Sequence, residues 1–456
     1  MKQVKIGAGQ GFYGDIIEPA LDLAENTDVQ YLAFDTLAEL TLAILQKDRQ
    51  KDPSLGYTKD ITRTARTLLP YVHEKGIKLI TNAGGLNPEG ARREVMRVAK
   101  ELGITGIKVG VATGDDLFHR LDELERAGVD LSDTDTGRPL EEVRDRLLFA
   151  SAYLGARPIV EALEQGADVV ITGRTTDTAQ FLAPAVFELG WRWDDWDKLA
   201  QGLVLGHLME CSGQVTGGNF SGDWWNIEDL DRIGYPLAEV SEDGSFVITK
   251  APGTGGRVSV DTVREQLLYE IHDPRRYITP DAIVDLTTVR LEDDGPDRVK
   301  VSGAKGSPAP PTLKAIMGYS NGFMGMGMVG FSWPNALSKA KRAADIVRKQ
   351  ADRMGIQYEE FSADFLGVNA LHGPAAPILD EDFINEVFLR VTIRTKDRAE
   401  AEKIGRLLPP LVLNGPPGVA MMPFAARPRE LIGLWSFLVP RELIESQVRV
   451  SVEEVR

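Results

Sequence analysis

The stretch "GHLMECSGQVTGGNF", Gly206 to Phe220, holds the only cysteine of the chain and one of its five histidines. His207 and Cys211 are four residues apart, and Glu210 follows His207 by three, so on a helix all three share one face. A thiol beside an imidazole has the composition of a nucleophile with its general base. The glycine after Ser212 marks a helix end, however, and the partial negative charge there disfavours a thiolate and favours a protonated imidazole. Two readings therefore stand. In one, His207, Glu210 and Cys211 form a catalytic group, with His207 as acid or base and Glu210 orienting it. In the other, Cys211 is a small apolar residue packed in a core. A metal on His207 and Glu210 would need a third ligand to which the sequence does not point.

More polar groups follow among glycines. Gln214 and Thr216 are neutral hydrogen-bonding residues set beside Gly217, a composition that suits a loop folding over a substrate. "KAPGTGGRVS" places Gly253, Gly255 and Gly256 between Lys250 and Arg257, a candidate cradle for phosphate or carboxylate without the G-K-[ST] of a P-loop. "YEIHDPRRY" brings His272, Asp273, Arg275 and Arg276 together, as a locked turn or as an anion site.

The remaining candidates sit where strand-like runs end. "GAGQGFYG" contains a G-x-G-x-x-G of Gly9, Gly11 and Gly14, and Asp35 ends the next strand at the distance of a ribose-binding acid. Against dinucleotide binding, Phe12 and Tyr13 crowd the turn and Asp15 puts a negative charge where pyrophosphate would lie. Asp15 also fits as the N-cap of the following helix. In "TNAGGLNP", Asn82 could orient a polar substrate, and Gly84 and Gly85 allow close backbone approach or a tight turn. Asn87 before Pro88 reads as an N-cap with proline in the first helical position. In "ITGRTTD", Arg174 is a candidate carboxylate or phosphate clamp, and Asp177 either joins it at a substrate or holds it in a structural pair.

Something must place these strand ends side by side. Over the first two hundred residues, apolar runs such as "VQYLAFD", "IKLITNAGG" and "ADVVITG" alternate with amphipathic helical stretches, the pattern of parallel βαβ units. About five such units favour an open sheet over an eight-stranded barrel. The expected fold is α/β: a mostly parallel doubly wound sheet in the N-terminal half, a mixed α+β middle region and a small C-terminal α/β unit. The expected domains are residues 1–234, 235–375 and 376–456. In such a sheet ligands bind beyond the carboxyl ends of the strands.

Composition narrows the partners. The 68 acidic and 52 basic side chains give a formal charge of −16, which repels nucleic acid and anionic membranes. One cysteine excludes an internal disulfide and suits a reducing cytoplasm. The N-terminus enters a strand-like run with neither signal-peptide nor transmembrane character.

Together "TNAGGLNP", "ITGRTTDTAQFLAP", "GHLMECSGQVTGG", "SFVITKAPGTGG" and "EQLLYEIHDPRRYITPD" resemble the acyclic terpene utilisation protein A family, from the N-terminus to about residue 330. The resemblance implies a link to a bacterial pathway that degrades citronellol- and geraniol-like terpenes as CoA thioesters. A homo-oligomer is expected, and because some members carry an extra small domain with no obvious counterpart here, the resemblance also implies a separate small subunit as a partner. The expected activity is a hydratase- or lyase-type step on a small anionic organic acid or its CoA ester, with no cofactor required. The alternatives are an NAD(P)-dependent oxidoreductase and a non-catalytic subunit of an acyl-CoA-processing complex.

Overall fold

The computed structural model describes residues 2–377, 380–421 and 426–456. The chain divides into two compact units, one of residues 1–142, 148–318 and 434–456, the other of residues 143–147 and 319–433.

In the first unit, β1 (Gln3–Gln10), β2 (Tyr31–Phe34), β3 (Lys78–Thr81) and β4 (Lys108–Thr113) join one sheet; β5 (Leu147–Ala152) pairs elsewhere, and β6 (Val169–Thr172) returns to it. The order β1-β2-β3-β6-β4 is parallel throughout. Parallel strands buried on both faces read as continuous apolar runs, as "YLAF" and "VVIT" do. Alternation splits their side chains between two cores. Leu32 and Phe34 pack with α1 (Glu18–Asn26), α3 (Asp60–Lys75) and α4 (Pro88–Glu101), while α2 (Glu39–Lys51) begins just beyond β2. Tyr31 and Ala33 face the other layer, where α6 (Arg157–Glu164), α7 (Ala179–Leu189) and α8 (Trp196–Met209) lie; α5 (Leu121–Arg126) follows β4.

Beyond β1 the sheet turns antiparallel through β7 (Pro236–Ser241) and β8 (Phe246–Lys250), then Val299–Ser302 and Arg290–Asp293. At the other edge the C-terminal strand Arg449–Glu454 pairs antiparallel with β4. Five of the nine pairings in this ten-stranded sheet are therefore antiparallel. The expectation of a mostly parallel doubly wound sheet is corrected to a mixed sheet with a parallel centre. The βα alternation specifies that centre locally. The added strands depend on pairings such as Val4 with Val240 and Ser451 with Val111, which no local pattern announces.

In the second unit, strands Glu360–Leu366 and Glu386–Thr395 and residues 323–332 form an antiparallel sheet. The helix Ala336–Arg353 covers one face, with Val329, Phe331, Val347, Leu389 and Val391 in its core. Among the described residues no helix is long and apolar enough to cross a membrane.

The contact that sets the position of the candidate chemistry is between α7 and α8. A Cβ at Gly206 would lie 2.6 Å from the Cα and 2.7 Å from the carbonyl oxygen of Thr178, so only glycine lets α8 come this close to the start of α7. Backbone cannot yield as a flexible side chain can. Gly206→Ala is expected to cost about 1–3 kcal/mol, read as a lower urea midpoint with an unchanged m-value.

Candidate functional site

The carboxyl ends of the parallel strands deliver their loops to a cavity of about 720 Å³ within the first unit. Gly11 comes from the end of β1, Asp35 from β2, Arg174 and Asp177 from β6, and Glu210 and Cys211 from the end of α8. Glu39, at the start of α2, and Tyr153, after β5, complete the inner wall. Tyr269, Glu270, Arg276, Tyr277 and Lys314 arrive from later segments. The site is thus rich in carboxyl and phenol groups, with few cations.

Arg174 organises it. Its side chain is 3% exposed, and its guanidinium lies 4.3 Å from the centre of the Tyr153 ring. One terminal nitrogen donates to the Leu37 carbonyl and, at 3.2 Å, to Asp177 Oδ1; the other lies 3.9 Å from Glu39 Oε1. Burial works against ionisation of Glu39, but Arg174 and the Tyr153 hydroxyl, which donates to it, outweigh burial and hold its carboxyl below the usual range.

The other acids behave differently. Burial, then the charge of Asp177, pushes Asp35 well above the ordinary carboxylate range, against the pull of Arg174 and the Asn82 amide. Burial, then Asp177 and Glu270, does the same to Glu210. Burial raises Asp177 too, although Arg174 opposes it. Arg174 pulls against burial at each of these acids, and burial prevails at Asp35, Asp177 and Glu210, so these carboxyls give up their protons at higher pH than free ones do.

Asn82 and His207 stand behind this wall. Asn82 is fully buried, donates from Nδ2 to Asp35 Oδ1 at 2.6 Å and accepts from Thr36 N at 2.8 Å, so it orients Asp35. His207 is 2% exposed, and its Nδ1 lies 3.1 Å from Glu210 Oε1. Burial lowers its pKa, so the imidazole is neutral. Its ring packs 5.6 Å from that of Tyr277, and Nε2 is buried with no bond of full geometry, near the carbonyls of Leu267 and Gln266. The contact between Nδ1 and Oε1 holds one proton between imidazole and carboxyl. Glu210 meets the cavity, and His207 lies behind it. Cys211 lines the cavity, but burial and the nearby Glu210 and Asp35 carboxyls raise its thiol strongly, which disfavours a thiolate.

The glycine turn after β1 contains its own anion. Asp15 Oδ2 accepts from Gly11 N at 2.9 Å, and Oδ1 accepts from Ile16 N at 2.8 Å and from the Tyr235 hydroxyl at 2.6 Å. A Cβ at Gly9 would strike the Phe34 ring, and one at Gly11 would press on Cys211 and Glu210 backbone. Gly14 takes φ +100° to turn the chain. These glycines serve the packing of the chain on itself, with Asp35 turned to Asn82.

The other glycine loops, by contrast, lie off the cavity wall. Gln214 Nε2 donates to Gln266 Oε1 at 2.7 Å, and Thr216 Oγ1 donates to the Gly234 carbonyl at 2.6 Å. Arg257 N donates to Thr216 O at 2.7 Å, which seats the Gly253–Gly256 turn against the loop of Gly217. Positive φ at Gly217, Gly253 and Gly256 makes that seating feasible, and Gly255 passes the Asp229 carbonyl. Gly84 passes the Thr172 carbonyl and Gly85 takes φ +51°, so this pair docks the β3 loop. Asn87 accepts from Gly90 N at 3.0 Å as the N-cap expected before Pro88. Among the described residues no group of three or more His, Cys, Asp or Glu is arranged to hold a metal ion.

The family profile described as acyclic terpene utilisation family protein AtuA matches residues 4–450. The chain belongs to this family. No curated protein and no solved structure matches it. In this AtuA-family chain the match spans every segment that lines the cavity.

One neighbour of the site offers a stability measurement. Asp115, after β4, is 3% exposed and accepts from Arg174 N at 2.8 Å, yet burial lifts its pKa to about 7. A carboxyl raised on folding stabilises below its unfolded pKa and loses that contribution as pH rises through the folded one. Relative to the parent, Asp115→Asn is expected to gain on the order of 2–3 kcal/mol between pH 5 and pH 8, whatever its offset at pH 5. Parallel urea titrations would read this, and a pH-independent difference would refute it.

Proposed function

We propose that this protein is an enzyme carrying out a hydratase- or lyase-type step on a small organic acid or its acyl thioester. The observation that carries this reading is the division among acids at one cavity: burial drives the Asp35, Asp177 and Glu210 carboxyls up, while Arg174 and the Tyr153 hydroxyl hold Glu39 down. Like groups driven apart in pKa supply acid and base at the same pH. In dehydration, an ionised carboxylate takes a proton from the carbon beside the substrate carbonyl. The C–O bond of the neighbouring hydroxyl then breaks as a protonated carboxyl delivers its proton, and water leaves as the double bond forms. Hydration is the reverse.

An anionic substrate has partners here. Lys314 and Arg276 line the cavity, and neither side chain forms a hydrogen bond or ion pair among the described residues. With their carboxyls raised by burial, Asp35, Asp177 and Glu210 repel a carboxylate less than free ones would. In this reading Asn82 and His207 are positioning residues, Arg174 fixes the charge distribution, and Cys211 lines the cavity beside the acids without acting as a nucleophile. A nicotinamide oxidoreductase has less support, because the Asp15 carboxylate already occupies the turn that would take pyrophosphate.

A panel of hydroxy acids and acyl thioesters, followed by mass spectrometry for gain or loss of water, tests the reaction class. Asp35→Asn, Asp177→Asn and Glu210→Gln are each expected to lower turnover by about 10²–10⁴-fold with melting temperature largely kept. Turnover is expected to fall as pH rises through the raised acid. Unchanged rates in all three variants would remove these residues from the chemistry.

A further inference from the structure

A second hollow in the first unit has a different character. About 360 Å³ in volume, it is lined by Trp193, Trp196, Pro280 and Pro308, with Arg157 and Arg441 at its sides. It continues into a hollow of about 210 Å³ that shares Arg157 and Arg441 with it. Together these reach the size of ordinary small-ligand sites.

The polar groups of this cleft are engaged, with one exception. Arg441 donates to the Pro310 carbonyl at 2.9 Å, to the Pro280 carbonyl at 2.7 Å and to Glu445 Oε1 at 2.8 Å. Glu445 is thereby neutralised. Asp281 accepts from Ala156 N through both oxygens, at 3.0 and 3.1 Å, as the anchor at the start of α6. Arg157 is exposed and has no hydrogen-bond or ion-pair partner among the described residues. Its guanidinium carbon lies 4.3 Å from the centre of the Trp193 ring, a cation–π contact that uses none of its N–H donors in a hydrogen bond. Trp193 and Trp196 are half-buried, fixed by packing on the core while still lining the cleft.

An aromatic surface beside a cation with free donors recognises a flat ring that carries an anion. We infer that this cleft binds a mononucleotide, with its base against Trp196 and its phosphate on Arg157, which Trp193 holds in place from below. The −16 formal charge opposes a nucleic-acid polymer far more than a single nucleotide. The nucleotide has two potential sources, a free nucleotide or the nucleotide handle of a larger thioester. Pro280 touches both this cleft and the acid-lined cavity, so a handle held here would lie next to the reacting end. The inference does not depend on the reaction proposed above, because the cleft contains none of Asp35, Asp177 or Glu210.

Isothermal titration of the full chain with AMP, ATP, adenosine and coenzyme A tests it. AMP is expected to bind at least tenfold more tightly than adenosine. Arg157→Gln and Trp193→Leu are each expected to weaken AMP at least tenfold, with circular dichroism and melting temperature showing that the variants fold. Asp35→Asn is expected to leave AMP affinity unchanged, even if it abolishes turnover. Coenzyme A binding tenfold more tightly than ATP would identify the handle, and equal or weaker binding the free nucleotide; both support the site. Absence of binding by every nucleotide up to about 5 mM, or AMP affinity indifferent to both cleft variants, would overturn it.

Discussion

A guanidinium that cannot lose its proton, buried among four carboxyl groups, dictates the character of the cavity. Arg174 must have a counter-charge because its side chain is almost wholly enclosed. Asp177 and Glu39 supply it, with the Tyr153 hydroxyl donating to Glu39. Burial is the first cause that raises Asp35, Asp177 and Glu210, and the crowding of carboxyls around one enclosed cation adds to it at Asp35 and Glu210. The supporting groups fit the same scheme. Asn82 gives Asp35 a donor, and a neutral His207 gives Glu210 a neighbour that adds no charge.

Much of the inner wall was legible in the sequence because parallel strands announce where they end. Gly11, Asp35, Arg174 and Asp177 were marked by strand-end position, and Glu210 and Cys211 by helical spacing before a glycine. Their roles were less legible. His207 attracted attention as an acid–base group, yet burial and orientation place it behind Glu210. Asn82 looked like a substrate ligand, but its amide is engaged by Asp35 and Thr36. Tyr153 and Lys314 carried no signal because their segments reach the cavity through long-range packing, and Glu270 and Tyr277 were embedded in a stretch that signalled the family without marking either residue. The glycine-rich loops misled for a related reason. Composition reports that a backbone passes close to something, and at Gly217 and Gly256 that something is another loop of the same chain.

The same distinction explains the sheet. Its parallel centre is written in alternating apolar strands and helices, each unit readable by itself. The two joins between that centre and the antiparallel margins link residues more than two hundred positions apart, Val4 with Val240 and Val111 with Ser451, and belong to the folded chain only. The strands that bear the site lie within that parallel centre, so the part of the fold that was readable is also the part that gathers the inner wall.

The Asp15 turn has a further consequence. Loops of this shape elsewhere attract anions from solution, because converging N–H groups favour negative charge. Here the chain carries a tethered carboxylate into that position, so the attraction is met within the molecule and at high effective concentration. Dissolved phosphate must compete with a partner that never diffuses away. A glycine signature that would advertise a vacancy is instead a lock with its key fixed in place, joining the end of β1 to Tyr235 and so the parallel centre of the sheet to the antiparallel strands beside it.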